Sequence, residues 1–492
     1  MRARQSSLSL EIAYKRSRQQ EQLAMLSYRN QPSVVYNDAT CSEGNLMAIF
    51  SPPGDPDFRS THSGQVDPVY RPFAAWWILI LLTVFMVINF SDRILLALVA
   101  QPVIREFGLT SAQFGLISSS FYFLYSVSAV GIGFLATRHI SLKWLLFAMS
   151  LLWAATQLPV FLFASGGVLL GTRVALGAAE GPATAVANST AYSWFPEHRR
   201  GLPTSILTSG ASLAKLLVAP LLTLLLLQYG WRSAFLAMAI SGIAWGAAWA
   251  FFGKTGPYAA VKPPTASTPA GAAANRATRR RTFLYVVRSR TFVILLIATY
   301  PGYALMSVIL TWLPSYLEVG LGFSPLTAGV LFGLPSLVGM ACMVSAGYVT
   351  DKLLASGVSS RVARGMVPTL SLAFGGLLLT LLPFAGNERY VAYVILVMGY
   401  CLTLPALPLV YAAIGSAANP AQRTSVLSLF IALQSTSGII APWATGALID
   451  SAENQIAGYN AAFLVLGALC VAGGLLAARF VDPARDTART ED

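Results

Sequence analysis

Long unbroken apolar runs limit what this chain can fold into more than any other feature. From residue 73 onward they recur as twelve segments, at roughly 74–101, 113–136, 143–164, 168–194, 204–228, 233–253, 291–317, 325–350, 366–386, 390–415, 422–446 and 457–480. A helix needs about 20 apolar residues to cross a bilayer, and each run supplies them. Barrel strands alternate apolar and polar residues over about ten positions, so a β-barrel is excluded. The expected fold class is an all-α membrane protein with twelve transmembrane helices. Only 11% of the 492 residues are charged, against about a quarter in soluble proteins, which excludes a soluble enzyme and a disordered chain. Cys41 lies in the polar N-terminal stretch, while Cys342, Cys401 and Cys470 lie in apolar runs. Four scattered cysteines make no disulfide framework, and the last three are expected only to pack.

The net charge of +13 follows from topology rather than from nucleic acid. Loops on the cytoplasmic side of membrane proteins collect Lys and Arg. Here Arg138 and Lys143 follow the second run, Arg199 and Arg200 the fourth, Lys352, Arg361 and Arg364 the eighth, and Arg423 the tenth. The opposite loops carry only Arg105, Arg232 and Arg389. The bias places both termini in the cytoplasm, and the Arg-rich, Ala-rich usage fits a bacterial inner membrane. Residues 1–72 read as a polar, disordered cytoplasmic tail, with Met25 and Met47 as alternative starts.

Between the sixth and seventh runs, residues 254–290 combine a Pro, Ala, Ser and Thr-rich run with Lys254, Lys262, Arg276, Arg279, Arg280, Arg281, Arg288 and Arg290. This is the expected cytoplasmic linker between two six-helix bundles, residues 73–253 and 291–481, with a tail at 482–492. The halves echo each other: the second run ends Gly133, Phe134, Leu135, Ala136, Thr137, Arg138, and the eighth ends Gly347, Tyr348, Val349, Thr350, Asp351, Lys352. Repeated halves are the mark of a transporter that rocks one bundle against the other around a site at mid-membrane.

Five ionisable residues lie inside the first half's runs: Asp92, Arg93, Arg173, Glu180 and Lys215. Each costs roughly 2.5 to 3.5 kcal/mol at the bilayer centre on insertion scales, so each needs a partner or a task. Arg173 and Glu180 are seven apart, which returns them to within about 20° of one helix face, roughly 10 Å apart. Asp92 and Arg93 are adjacent and point about 100° apart, so one can face a cavity while the other faces a neighbouring helix. A purely structural alternative is an ion pair, Asp92 with Arg173, that locks the bundle. Three cations against two carboxylates leave a surplus positive charge, and the expected ligand is an anion.

Particular motifs carry a family resemblance. Asn89, Phe90, Ser91, Asp92, Arg93 are followed by Gly108, Leu109, Thr110 and by Gln113, Phe114, Gly115. Then come Arg173, Leu176, Gly177, Glu180, Gly181, Pro182, then Trp194, Phe195, Pro196 with Arg200 and Gly201, then Gly230, Trp231, Arg232, Phe235, and Trp312, Leu313, Pro314, Tyr316, Leu317. Over roughly residues 73–480 this order resembles the anion:cation symporter family of the major facilitator superfamily, which includes hexuronate, galactonate and phthalate permeases. The resemblance implies the major facilitator fold and proton-driven uptake of organic carboxylates by alternating access. It implies proton coupling at Asp92 and Glu180, and engagement of the substrate carboxylate by Arg93 and Arg173. The loop after the second run departs from the family pattern, with Thr137 in place of an acid, Ile140 in place of a glycine and the next basic residue displaced to Lys143. Gating is expected at Arg138 and Asp351. Lys215, where small residues are usual, is expected to add a cation for a second anionic or polar group of the substrate.

Further pocket polarity is expected from Asn89, Tyr122, Tyr125, Tyr300, Tyr303 and the run Gln434, Ser435, Thr436, with Asn89, Tyr125, Tyr303 and Gln434 as substrate contacts. Gly253, Lys254, Thr255 lacks the upstream glycine and strand of a phosphate loop. His62, His139 and His198 make no metal spacing, and no nucleophile sits in a hydrolase setting. No enzyme activity, cofactor or metal is expected. The expected function is import of a sugar acid, aromatic acid or dicarboxylate by proton symport. The expected partners are a small organic anion, protons and the lipid bilayer, the expected state is a monomer, and nucleic acid is not a partner. An anion exchanger is the alternative, and a transporter-like membrane sensor a more distant one.

Overall fold

A computed structural model describes residues 71–139, 141–163, 165–196, 199–260, 283, 285–359, 361–386, 388–417 and 423–481. Every regular element among these residues is helical. The first half contains α1 (Pro72–Leu98), α2 (Ala100–Phe107), α3 (Ser111–His139), α4 (Leu142–Leu162), α5 (Gly166–Glu180), α6 (Ala183–Tyr192), α7 (Gly201–Leu213), α8 (Ala219–Tyr229) and α9 (Trp231–Phe252). The second contains α10 (Arg290–Ser315), α11 (Pro325–Leu331), α12 (Leu334–Ala355), α13 (Val367–Leu379), α14 (Arg389–Thr403), α15 (Ala406–Ala417), α16 (Arg423–Ser435), α17 (Ser437–Ser451) and α18 (Gln455–Phe480).

Ten helical stretches among the described residues are long and apolar enough to cross a membrane, where the sequence predicts twelve. The two predicted spans outside that set are also helical, on α3 and on α5 with α6. The α5–α6 stretch carries Arg173 and Glu180, and it is interrupted between Glu180 and Ala183, where Pro182 contributes no N–H to the helical ladder.

Packing repeats between the halves. In the first, α1 lies against α7 and α9, α3 against α5, and α4 against α9; in the second, α10 lies against α17 and α18, α12 against α14, and α13 against α18. These are the same pairings by span order, so the echo seen in the sequence extends to which helices touch. Small residues permit the closest approaches, as is usual where lipid removes the hydrophobic drive between helices. A Cβ on Gly177 would sit 2.0 Å from the Phe121 carbonyl oxygen, and one on Gly181 would sit 2.0 Å from the Ser128 hydroxyl. Glycine at these two positions lets α5 meet α3 backbone to backbone, and it fixes the depth at which Glu180 faces the aromatic residues of α3.

The halves meet along α3 and α17 and along α1 and α10. We call the face bearing Ser111 and Asp450 the far face, and the face bearing Pro72 and Phe480 the terminal face. From the far face inward, polar contacts join the halves: Asp450 with the amides of Ser111 and Ala112 at 2.9 and 2.8 Å, Gln101 with Ser315 at 2.5 Å, Ser118 with Thr311 at 2.7 Å and Ser126 with Ser435 at 2.7 Å.

On the terminal face, the segment leaving α9 turns back onto the end of α6. The Trp194 indole donates to the Lys254 carbonyl at 3.0 Å, the Gly256 amide to the Ser193 hydroxyl at 3.1 Å, and the Tyr258 amide to the Ser193 carbonyl at 2.9 Å. Residues 254–260 of the expected linker are thus tied to the first half. Residues 261–282 lie outside the described residues, as do the expected tails apart from residues 71 and 72.

Candidate substrate and proton site

Four of the five intramembrane ionisable residues meet between α1, α3, α4 and α5. Span one carries Asp92 and Arg93 because its apolar run continues on both sides of them, and their adjacency turns them toward different neighbours. Arg93 Nε donates to Glu180 Oε2 at 2.7 Å. Its guanidinium also lies over three rings, 4.7 Å from Tyr125, 5.0 Å from Phe121 and 5.2 Å from Phe90. Ring faces attract cations, so Arg93 is held by one carboxylate and a three-sided aromatic box.

Asp92 faces the other way. Its Oδ1 accepts from Gln157 Nε2 of α4 at 2.8 Å, and its backbone carbonyl accepts from Arg173 Nη1 at 2.9 Å. The locking pair of Asp92 with Arg173 considered above is therefore not formed between side-chain charges: Arg173 takes the peptide oxygen, while Glu180 takes Arg93. Arg173 lies 5.7 Å from the Phe235 ring and is 2% exposed.

Several buried polar atoms here make no hydrogen bond of good geometry: Glu180 Oε1, Arg173 Nε and both amide atoms of Asn89, whose side chain lies close enough to Glu180 to interact with it. Unsatisfied buried groups are uncommon and expensive, and their concentration around one carboxylate marks a place where a further donor or acceptor fits. Arg93, Leu96, Ser118, Phe121, Tyr122, Arg173, Leu310 and Thr311 line a cavity of about 20 Å³, enough for about one water molecule. A larger molecule reaches both arginines only when the helices part.

The other expected site residues are distributed as follows. Tyr125 is in the aromatic box. Tyr303, buried on α10, comes within electrostatic reach of Tyr122, Tyr125 and Arg93. Gln434 is engaged within the second half: its amide donates to Thr299 at 2.8 Å and its oxygen accepts from Tyr411 at 2.6 Å. Lys215 is outside the small cavity, on a π-helical turn, Ala214–Val218, beside Cys401 of α14. Asp351 is exposed near the end of α12, and the side chain of Arg138 lies outside the described residues.

Gln157, Ser118 and Thr311 were not anticipated from the sequence. The signal for Gln157 is its place as a lone amide inside an apolar run. Ser118 and Thr311 look like ordinary small polar residues until the two halves are brought together.

The sequence profile described as Major Facilitator Superfamily matches residues 80–407. The chain belongs to this superfamily. Its relatives include a "Hexuronate transporter" of Bacillus subtilis, 26% identical over 81% of this chain and 92% of that protein. A "Probable sulfoacetate transporter SauU" of Cupriavidus necator is 28% identical over 80% and 91%. A "Probable galactarate/D-glucarate transporter GudP" of Bacillus subtilis is 27% identical over 83% and 92%. Among solved structures, a bacterial homologue of the human lysosomal transporter Spinster matches with a TM-score of 0.70 at 18% identity, over 85% of this chain and 99% of that one. A D-xylose-proton symporter matches at 0.68 and 15%, over 84% and 99%. The superfamily membership establishes a multi-pass membrane transporter rather than an enzyme, and the solved relatives share its fold.

Proposed function

We propose that this superfamily member imports an organic carboxylate by proton symport, with alternating access to a site built on Arg93, Arg173, Asp92 and Glu180. One observation carries the reading: Arg93 is already bonded to a carboxylate, Glu180, whose other oxygen makes no hydrogen bond of good geometry. A substrate carboxylate offers Arg93 the same charge-assisted bond, so it competes with Glu180 for one guanidinium. A proton on Glu180 resolves the competition, because the neutral acid releases Arg93 and keeps a donor for Asn89 or for the substrate.

Charge balance supports the same step. Two arginines and two carboxylates sum to zero. An entering carboxylate makes the buried cluster negative, and one proton restores neutrality. Burying an uncompensated charge is costly, so the helices close over substrate with proton or over neither. Asp92, held by Gln157, is the second acid able to carry a proton. The relatives named for hexuronate, sulfoacetate and galactarate/D-glucarate support an organic-acid substrate. The basic loops support termini on the cytoplasmic face of a cell membrane, and the repeated packing supports two six-helix halves joined through residues 254–290.

The test is uptake into proteoliposomes from a panel of sugar acids and dicarboxylates. Accumulation requires an inward proton gradient, and Glu180→Gln keeps counterflow exchange while losing concentrative uptake. Uptake indifferent to the gradient, with an absolute need for an internal anion, overturns symport in favour of exchange.

A further inference from the structure

We infer that Lys215 is a second anchoring point of the same cavity and that the carried molecule has an acidic group at each end, as in a dicarboxylate or a sulfocarboxylate. The inference rests on the reading of the site as an organic-anion carrier.

Position comes first. Lys215 is the middle residue of the helical span Gly201–Tyr229, with fourteen residues of that span on either side. Leu217, Leu221 and Leu224 form the exposed stripe of that span, at 60%, 64% and 40% exposure. Lys215 stands two residues before Leu217, about 200° around the helix, and so faces away from lipid. Its depth follows from register. Gly210 packs against Met86, and the first and fifth spans run in the same direction. Five residues further along each, Lys215 is level with Ser91, next to Asp92 and Arg93. The π-helical turn that carries it packs on both α1 and α12.

Surroundings come next. No acid pairs with Lys215 among the described residues, where the ion pairs are Arg93 with Glu180 and Arg232 with Glu106. Its neighbour Cys401 follows Tyr400, which is buried and within electrostatic reach of Tyr122. Tyr122 lines the cavity shared by Arg93 and Arg173. Two successive residues of α14, Tyr400 and Cys401, thus lie within electrostatic range of Tyr122 and of Lys215 respectively. A cation level with the arginines, turned inward and without a counter-ion, answers a second anionic group. Counting Lys215 changes the balance: the cluster is +1, a monoanion brings it to zero without a proton, and a dianion makes it −1, which the one proton on Glu180 brings to zero.

Matched pairs of probes test this: galactarate with galactonate, and sulfoacetate with acetate, each pair differing by one anionic end. Binding to the purified full-length protein is read by thermal shift and calorimetry, and uptake is read in proteoliposomes. In at least one pair the wild type favours the dianion tenfold or more. Lys215→Met, which keeps an unbranched side chain one atom shorter and without the charge, lowers dianion affinity about 30-fold and leaves the monoanion within threefold, and Lys215→Arg restores most of the preference. Equal loss for both members of a pair, or no loss in either, overturns the inference while leaving an organic-anion carrier in place. If the wild type binds no organic acid, the reading of the site itself falls.

Discussion

The bond between Asp450 and α3 predicts how firmly the far face is closed. The first turn of a helix presents amide donors without intrahelical partners. At α3, Thr110 and Gln113 serve each other: the Thr110 amide donates to Gln113 Oε1 at 2.9 Å, and the Gln113 amide to Thr110 Oγ1 at 3.2 Å, in the manner of a capping box. The Ser111 and Ala112 amides are left, and both donate to the carboxylate of Asp450 from the opposite half. Each bond contributes about 1 kcal/mol net, toward the low end for a charged acceptor because the site is open to solvent. Two bonds give about 2 kcal/mol, or about a 30-fold change in the ratio of closed to open far face at about 1.4 kcal/mol per tenfold.

The reporter for this is Ser118→Cys, buried at the seam beneath the contact and read at its own peptide by mass spectrometry after a membrane-impermeant maleimide is added on the far-face side. Asp450→Ala raises its labelling rate about 30-fold. Asp450→Asn, which keeps one good acceptor, gives an intermediate rate. Gly446→Ala, whose Cβ would meet the Ser111 carbonyl oxygen at 2.2 Å, opens the same seam sterically. Glu453→Ala, close in sequence to Asp450 and on an exposed turn, leaves the rate unchanged. A rate in Asp450→Ala equal to that of the intact contact refutes the reasoning.

Two further outcomes follow from named contacts. Arg93→Lys keeps the charge but loses the planar group that stacks on Tyr125, Phe121 and Phe90 while bonding Glu180; substrate affinity in calorimetry falls about 10- to 100-fold, because a lysine does not replace a stacked arginine. At the far face, hydrogen bonds from Arg232 and Trp231 hold Glu106 below the usual carboxylate range. A lowered folded value means that this contribution to stability is present above the unfolded carboxylate range and is lost as pH falls through the folded value. Glu106→Gln removes that slope from a plot of Tm against pH, with an effect of under about 1 kcal/mol because the pair is exposed.

The positions of the spans and the gathering of Asp92, Arg93, Arg173 and Glu180 were legible in the sequence for one physical reason. Hydrophobic length fixes what enters lipid, and charges inside lipid must find one another. Which acid meets which arginine was not legible, because a rotation of α1 by about 100° exchanges the roles of Asp92 and Arg93, and no local pattern sets that rotation. Gln434 looked free because its partners, Thr299 and Tyr411, lie on other helices whose approach depends on packing of the whole second half. The role of Asp450 in completing the cap at Thr110 and Gln113 was not legible, since Asp450 lies more than three hundred residues further along the chain.

The turn that ties Gly256 and Tyr258 to Ser193 also has a mechanical consequence. A tether joined only to the end of α9 would deliver any pull from the second half to a helix that carries none of the charged site. Here the load passes first into Ser193 and Trp194, at the foot of α6, and along that helix toward Pro182 and Glu180. The attachment of residues 254–260 therefore bears on the same stretch that carries Glu180, and the interruption beside Glu180 is where that stretch can bend.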